Sequence, residues 1–183
     1  YGSIEEGSFT EDDPLGPRSP YAASKAASDL IALSYHTTHD LDVVVTRSSN
    51  NFGPYQFPEK VIPLFVTNLF DGQRVPLYGD GLNVRDWCYV EDNCAGIDLA
   101  LRSGVSGGIY NIGAGNECTN RELVSRLLDL TESDESMVEN VADRLGHDRR
   151  YSIDTSRIQE LGWAPQHDFE GALKATVAWY RDN

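Results

Sequence analysis

A tyrosine and a lysine four positions apart, Tyr21 and Lys25, could together carry proton transfer. On a helix, side chains at positions i and i+4 lie next to each other on one face. The pKa of a free tyrosine is about 10, which makes the phenol a poor base at neutral pH. A neighbouring ammonium group favours the phenolate, which can then exchange a proton with a substrate hydroxyl. Taken alone, the pair also fits an ordinary helix, so the interpretation depends on the rest of the chain.

Clustered arginines form a second group that could do chemistry. The chain has 15 Lys and Arg against 29 Asp and Glu, a net charge of −14, and only three of its cations are lysines. The stretch 143–150 nevertheless holds three arginines and a histidine, and Arg85 follows a glycine-rich turn. Guanidinium groups bind diphosphates in bidentate fashion and stay charged. We therefore predict an anionic ligand, with internal pairing to Asp143 and Asp148 as the alternative.

Composition limits the class of protein. The negative charge argues against binding to nucleic acid or to an acidic membrane surface, and no apolar run reaches transmembrane length. The three cysteines, Cys88, Cys94 and Cys118, lack zinc or redox spacing. We expect buried, reduced thiols in a cytoplasmic protein without a metal site. A chain rich in Asp and poor in Lys also suggests a salt-loving source organism, with an ordinary acidic protein as the alternative.

The helix that carries Tyr21 and Lys25 has a clear start. Ser19 is a good N-cap and Pro20 suits the first helical position. The apolar spacing predicts a helix from there to about His39. Its expected apolar side consists of Ala26, Ala27, Leu30, Ile31 and Leu33.

Two asparagines follow the next predicted element. The β-branched run at 41–46 is typical of a buried parallel strand, and 48–54 is predicted as the turn after it. Ligands of open α/β sheets bind at the carboxyl ends of strands. Asn50 and Asn51 would offer amide donors and acceptors there.

The remaining chain alternates between helices and strands. Thr119 and Glu122 form a capping-box pattern that begins one helix, and Asp168 caps the last one. The predicted helices are 61–70, 91–101, 119–130, 154–161 and 168 onward, and the predicted strands are 75–78, 84–90 and 109–112. The polar stretch 131–140 is predicted as a loop. This alternation indicates an α/β fold.

Several motifs of the chain together resemble one family. The run Tyr21-Ala22-Ala23-Ser24-Lys25 resembles the Tyr-x-x-x-Lys signature of short-chain dehydrogenase/reductases. The stretch 49–60 is similar to the extended, sugar-nucleotide-modifying branch of that family. Together with Arg85-Asp86-Trp87, Tyr89-Val90-Glu91-Asp92, Tyr110-Asn111-Ile112-Gly113 and 143–150, the chain resembles the dTDP-glucose 4,6-dehydratases over its whole length.

The resemblance implies an NAD-binding Rossmann domain followed by a smaller α/β domain that holds the nucleotide sugar. Residues 1–55 would be the remaining part of the Rossmann domain, and 56–183 mainly the sugar domain, with about 91–112 returning to the Rossmann sheet. The family's glycine-rich dinucleotide loop and its Thr-Asp-Glu run would precede Tyr1. We therefore expect this chain to be the carboxy-terminal portion of a longer enzyme, and inactive by itself.

The resemblance also implies a reaction. Tyr21 would take the proton of the sugar's 4-hydroxyl while a hydride passes to NAD, and Lys25 would favour the phenolate and bind the nicotinamide ribose. Water would then leave across C5–C6, and the hydride would return to C6 to give dTDP-4-keto-6-deoxyglucose. The Glu and Asp of the missing run would serve as base and acid for the elimination.

Site residues follow from the same resemblance. Tyr21, Lys25 and Asn51 would contact NAD. The nucleotide sugar would be held by Asn50, Lys60, Val61, Pro76, Leu77, Tyr78, Arg85, Asn120, Asp143, Arg144, Leu145, Gly146 and His147. Arg85 would lie on the diphosphate. At Leu145 the family usually has proline, so the shape of that loop is a point of difference.

Two other functions stay open on sequence grounds. A UDP-sugar 4-epimerase or decarboxylase would share the fold, Tyr21, Lys25 and the arginines. A non-catalytic module that binds sugar nucleotides would share the pocket alone. The family also implies a homodimer formed through the Tyr21 helix.

Overall fold

Helices and strands alternate along the chain, which confirms the predicted α/β class. The computed structural model describes residues 1–183, with six α-helices and seven β-strands. The helices are α1 Pro20–His39, α2 Val61–Phe70, α3 Val90–Ser103, α4 Asn120–Leu130, α5 Ser156–Glu160 and α6 Phe169–Asp182. The strands are β1 Val45–Ser48, β2 Asn50–Phe52, β3 Val75–Tyr78, β4 Val84–Tyr89, β5 Ile109–Ile112, β6 Glu117–Thr119 and β7 Val138–Val141. A short 3₁₀ helix covers Glu135–Met137.

Most strand pairs are parallel. β1 pairs with β5, β2 with β4, and β3 with β7, all in parallel, whereas β6 runs antiparallel to β4. Parallel pairing requires crossover connections, and the helices between these strands supply them. The strands therefore form small sheets of two, three and two strands, in the orders β1-β5, β2-β4-β6 and β3-β7.

The strand predictions differ from the structure in four places. The strand predicted at 41–46 begins only at Val45 and extends to Ser48. Asn50 and Asn51 lie in β2 and not in a turn, because this short segment pairs with β4. The predicted loop 131–140 contains most of β7, whose pairing with β3 outweighs its polar composition. β6 was not predicted either. The differences at β2, β6 and β7 reflect pairing with distant strands, which local sequence patterns do not encode.

Helix α1 begins as predicted, but its apolar side is not buried. The Ala22 N–H donates a 3.1 Å hydrogen bond to the Ser19 hydroxyl, and Asp40 ends the helix with φ +53°. No residue of the helix is buried, and the side chain of Leu30 is 63% exposed. The helix rests on β1, where Arg47 Nε lies 2.7 Å from the Asp29 carboxylate. Leu30 and Ile31 of the predicted apolar side therefore face solvent, whereas Ala26 and Leu33 are half-buried.

Two hydrophobic cores hold the remaining elements. The larger one lies where α2, α4 and α6 pack together against β3 and β4, and Leu127 and Leu173 are fully buried in it. The smaller one joins α3, β5 and α5 through Ala100, Tyr110, Ile112, Ile158 and Trp163. The capping box of α4 is present, with Thr119 and Glu122 hydrogen-bonded to each other's backbone N–H. The larger core fixes α2, α4, β3 and β4, which surround the site described below.

Residues 1–11 are attached to partners late in the chain. The Ile4 N–H donates to the Arg150 carbonyl and the Phe9 N–H to the Ser152 carbonyl, both at 2.9 Å. The Asn111 N–H donates to the buried carboxylate of Glu11 at 2.8 Å. This amino-terminal segment is therefore ordered by its contacts with β5 and with the chain that follows β7.

The cysteines follow the prediction in part. Cys88 and Cys118 are buried, and burial raises the pKa of their thiols to about 12 and about 11. Cys94 is exposed on α3, which corrects the expectation that all the thiols are buried. All three are free. None of the helices combines the length and apolar character needed to cross a membrane.

Candidate functional site

A cavity of about 350 Å³ lies between α2, α4, β3, β4 and the loop after β7. It brings together residues that are far apart in the sequence. The lining consists of Asn50, Glu59, Lys60, Val61, Leu64, Phe65, Pro76, Leu77, Tyr78, Arg85, Trp87, Asn120, Leu123, Val124, Arg144 and His147. The lining combines apolar side chains with amides and cations, which is the usual composition of a small-molecule site.

Helical spacing explains how two walls of the cavity are formed. On α2 the lining residues are Val61, Leu64 and Phe65, and on α4 they are Asn120, Leu123 and Val124. Both sets follow the i, i+3, i+4 pattern that places side chains on one face of a helix. Because the other faces of these helices pack in the larger core, each helix presents one fixed strip to the cavity.

Strand alternation selects the residues on the sheet side. Arg85 and Trp87 are two positions apart on β4, so both side chains point to the same face. Asn50 and Asn51 are neighbours on β2 and point to opposite faces. Asn50 lines the cavity and Asn51 does not. The structure thus assigns the two asparagines to different sides of the sheet.

Arg85 carries a buried charge without an ion-pair partner. Its side chain is 7% exposed, and Nη1 and Nη2 donate to the carbonyls of Val84 and Asp148 at 2.6 and 2.8 Å. Burial lowers the pKa of the guanidinium, yet arginine stays protonated in proteins. The carboxylates of Asp148 and Asp143 act on this charge only from a distance, so the buried cation, which makes no direct ion pair, favours an anionic ligand in contact with it.

The loop after β7 adds a second arginine and a histidine. His147 Nδ1 lies 2.7 Å from a carboxylate oxygen of Asp143, and Arg144 Nη2 lies 3.0 Å from His147 Nε2. Arginine only donates hydrogen bonds, so Nε2 accepts here and Nδ1 carries the proton that is donated to Asp143. The hydrogen bond from His147 holds the pKa of Asp143 below its usual value. The Arg144 guanidinium also lies over the Tyr78 ring, 5.1 Å from its centroid.

Three residues predicted for the sugar pocket lie outside the cavity lining. Asp143 acts behind the lining as the partner of His147. Leu145 is fully exposed, and Gly146 adopts φ +69°, a left-handed conformation that favours glycine. These positions shape the loop and present Arg144 and His147 to the cavity.

Tyr21 and Lys25 stand apart from this cavity. Both are exposed on α1, where the Tyr21 side chain is 72% exposed, and no hydrogen bond joins them. Asn51 also lies elsewhere: its side-chain Oδ1 is buried without a hydrogen-bond partner, and its carbonyl accepts a 2.7 Å hydrogen bond from Gln56 Nε2. Tyr21, Lys25 and Asn51 are therefore absent from the lining of this cavity, and Tyr21 and Lys25 face solvent.

Several lining residues were not predicted from the sequence. These are Glu59, Leu64, Phe65, Trp87, Leu123 and Val124. Periodicity could have found most of them, since Leu64 and Phe65 share a helical face with Val61, and Trp87 shares a strand face with Arg85. Which face points to the cavity depends on the packing of α2 against α4 and α6, and the sequence does not show that packing.

Both a family model and curated relatives that match this chain are 4,6-dehydratases. Residues 1–176 match the family model described as GDP-mannose 4,6 dehydratase. A dTDP-glucose 4,6-dehydratase of Streptomyces antibioticus is 60% identical over 184 aligned residues, which cover 100% of this chain and 55% of that protein. The chain thus spans about half the length of this curated relative.

Solved structures show the same fold. A dTDP-glucose 4,6-dehydratase from Streptomyces venezuelae, crystallised with NAD bound, is 60% identical with a TM-score of 0.98, over 100% of this chain and 57% of that one. A UDP-glucose 4-epimerase from Thermus thermophilus, also in complex with NAD, is 33% identical with a TM-score of 0.92, over 99% of this chain and 60% of that one. The likeness in sequence is markedly greater to the dehydratase.

Proposed function

This chain belongs to the GDP-mannose 4,6 dehydratase family, and we propose that its full-length protein dehydrates dTDP-glucose to dTDP-4-keto-6-deoxyglucose. The 60% identity to dTDP-glucose 4,6-dehydratases supports this substrate over that of the 33% identical epimerase. The chain covers 55% of the relative's length, so the proposal concerns the full-length protein and not these 183 residues alone.

One observation carries the proposal: the buried guanidinium of Arg85, which makes no direct ion pair, lines the cavity of about 350 Å³. A diphosphate bound there would neutralise the buried charge and accept the remaining guanidinium donors. Arg144, His147 and Lys60 line the same cavity and would add donors to the anion. The apolar strips of α2 and α4 would then receive the flat base of the nucleotide.

The residues present also fit the amide end of NAD. Asn51 Oδ1 is buried without a hydrogen-bond partner, and such an acceptor can be satisfied by a carboxamide N–H. Tyr21 and Lys25 would hold the nicotinamide ribose. Bound NAD would supply a reversible hydride acceptor, which the side chains of this chain do not provide.

We propose that Tyr21 transfers the proton of the sugar's 4-hydroxyl. Its phenolic oxygen would take that proton during oxidation at C4 and return one at the end, with Lys25 one helical turn away on the same face of α1. A ketone at C4 acidifies the neighbouring C5–H, so that water can leave across C5–C6. No residue of this chain is assigned to that elimination.

We further propose a division of the chain and an assembly. Residues 1–55 and about 91–112 would belong to the NAD-binding domain, which the parallel pairing of β1 with β5 supports, and the remaining residues to the nucleotide-sugar domain. A homodimer through α1 would cover its exposed apolar side chains, such as Leu30 and Ile31. Free thiols fit a cytoplasmic enzyme, and the charge of −14 with only three lysines fits a salt-loving source.

The test is the reaction of the purified full-length protein, loaded with NAD, on dTDP-glucose. Mass spectrometry of a dehydration product would show the loss of one water. A product of unchanged mass would point to an epimerase, and loss of carbon dioxide from UDP-glucuronate to a decarboxylase. Binding of dTDP-glucose without any product would leave the non-catalytic module as the function.

A further inference from the structure

Tyr151 does not line the cavity, yet it contacts two residues that do. The central carbon of the Arg85 guanidinium lies over the Tyr151 ring, 4.4 Å from the ring centroid. The Tyr151 hydroxyl donates a hydrogen bond to Oδ1 of Asn50. One aromatic side chain therefore joins the buried cation of β4 to the polar end of β2.

The stacking of the Arg85 guanidinium on the Tyr151 ring is shielded from water, which strengthens a cation–π contact. Arg85 is shielded from water, and a cation over an aromatic face gains more when both groups are desolvated. Two of the five guanidinium donors are used by the carbonyls of Val84 and Asp148. With one face covered by the ring, the guanidinium plane is fixed, and its remaining N–H groups keep one orientation.

Tyr151 is itself held in place by its chain neighbours. The Val84 N–H donates to the Arg149 carbonyl at 2.8 Å, and Asn83 Nδ2 donates to the Asp148 carbonyl at 3.1 Å. An isolated parallel bridge pairs Val84 with Arg150. The segment before Tyr151 is thus attached to the strand that carries Arg85, so the Tyr151 ring and the Arg85 guanidinium keep a fixed relative position.

We propose that Tyr151 is a positioning residue that orients Arg85 for a diphosphate group and holds Asn50 at the edge of the cavity. The inference rests on the proposed function, since it takes the diphosphate of a nucleotide sugar as the ligand of Arg85. Burial raises the pKa of the Tyr151 phenol, so it remains a neutral donor to Asn50 at neutral pH.

Two substitutions of Tyr151 separate the contribution of its ring from that of its hydroxyl. Tyr151→Phe keeps the ring under Arg85 and removes the hydrogen bond to Asn50, whereas Tyr151→Leu removes both. Calorimetric titration of the full-length protein with inorganic pyrophosphate measures the anion site directly, and titration with dTDP measures it within the nucleotide site. We expect Tyr151→Leu to raise the pyrophosphate Kd about 5- to 30-fold and Tyr151→Phe to change it by less than about twofold.

A matched control tests for a purely structural effect. Tyr180 is partly buried and donates to the Gln56 carbonyl at 2.7 Å, outside the cavity. Tyr180→Leu should lower the thermal midpoint without changing the pyrophosphate Kd. If Tyr151→Leu proves too unstable to titrate, it is replaced by Tyr151→Met, which also removes the ring and whose flexible, unbranched side chain fills irregular gaps more readily.

The outcomes distinguish this inference from the proposed function. A pyrophosphate Kd that is unchanged in Tyr151→Leu, or raised equally in Tyr151→Phe, overturns the positioning role. If the wild type binds pyrophosphate but not dTDP, the nucleotide proposal fails, and the pyrophosphate series alone decides the role of Tyr151. If the wild type binds neither probe, both proposals are overturned.

Discussion

Arg150 and Glu117 form a two-pronged ion pair, with Arg150 Nε and Nη2 donating to the two carboxylate oxygens at 2.8 and 2.9 Å. A third donor, Arg150 Nη1, reaches the Gly7 carbonyl at 2.9 Å. One side chain thus connects β6 with the amino-terminal segment. Because both partners of the ion pair are largely shielded from water, the pair should contribute to stability in a pH-dependent way.

We predict that Glu117→Gln weakens the acid dependence of stability. Burial acts to raise the pKa of Glu117, but its hydrogen bonds, chiefly from Arg150, outweigh burial and leave the pKa lowered. The contribution is therefore complete above the unfolded-state pKa of about 4.3 and is lost as the pH falls towards the folded-state value. Thermal midpoints of both proteins between pH 3 and pH 7 should differ most near neutrality and converge in acid. The control is Glu160→Gln, at an exposed carboxylate without an ion pair, which should leave the pH dependence of the thermal midpoint unchanged. A difference in midpoint between wild type and Glu117→Gln that stays constant from pH 3 to pH 7 would contradict the stabilising role of the ion pair.

Tyr21→Phe should lower kcat of the full-length protein at least about 100-fold, because the substituted ring has no oxygen to take the 4-hydroxyl proton. Tyr35→Phe is the matched control, since Tyr35 is also exposed on α1 but lies outside the Tyr-x-x-x-Lys motif. Steady-state rates with dTDP-glucose give the comparison. A rate near that of the wild type would remove Tyr21 from its proposed role.

Arg85→Ala should raise KM for the nucleotide sugar more than it lowers kcat, because the lost contacts are to the diphosphate and not to the reacting carbons. Arg85→Lys should restore little, since an ammonium group can neither stack on Tyr151 in the same way nor donate in bidentate fashion. Arg102→Ala removes an exposed arginine of α3 that is paired with Asp98 and serves as the control. An unchanged KM in Arg85→Ala would exclude the diphosphate contact.

Leu127→Ala should lower the free energy of unfolding by about 2–5 kcal/mol, since this side chain is fully buried in the larger core and its truncation leaves a cavity. Leu101→Ala, at a side chain that is 72% exposed, should change it by less than about 0.5 kcal/mol. Urea denaturation of the two variants measures both values. Equal effects would mean that Leu101 is covered in the assembled protein.

The features with local signals were predictable from the sequence. Ser19, Thr119 and Asp168 each cap the helix that they were predicted to begin, because capping depends on residues only three positions apart. Helix α2 and strand β3 have the predicted bounds, since their apolar composition and flanking turns are contiguous in the chain. Ten of the thirteen residues assigned to the sugar pocket by family resemblance line the cavity, and what binds there stays a prediction.

The features that depend on distant partners were not predictable. β2 and β7 are strands only because β4 and β3 lie beside them, and neither has a strong strand pattern of its own. The exposure of Leu30 likewise follows from how little of this chain packs on α1. Tyr151 carries no sequence signal at all: its contacts with Arg85 and Asn50 span 66 and 101 positions.

The contacts of the amino-terminal segment have a consequence for the order of folding. Tyr1 donates to Asn111 across 110 positions, and Phe9 exchanges backbone hydrogen bonds with Ser152 and Asp154. During synthesis on the ribosome, residues 1–11 emerge before any of these partners, and long loops must close before the segment can dock. The segment should therefore be among the last parts to become protected. A nascent chain arrested before residue 150 can form the contact between Arg47 of β1 and Tyr1, but it lacks the backbone partners of Ile4 and Phe9, so that this part of the segment should stay open to proteases.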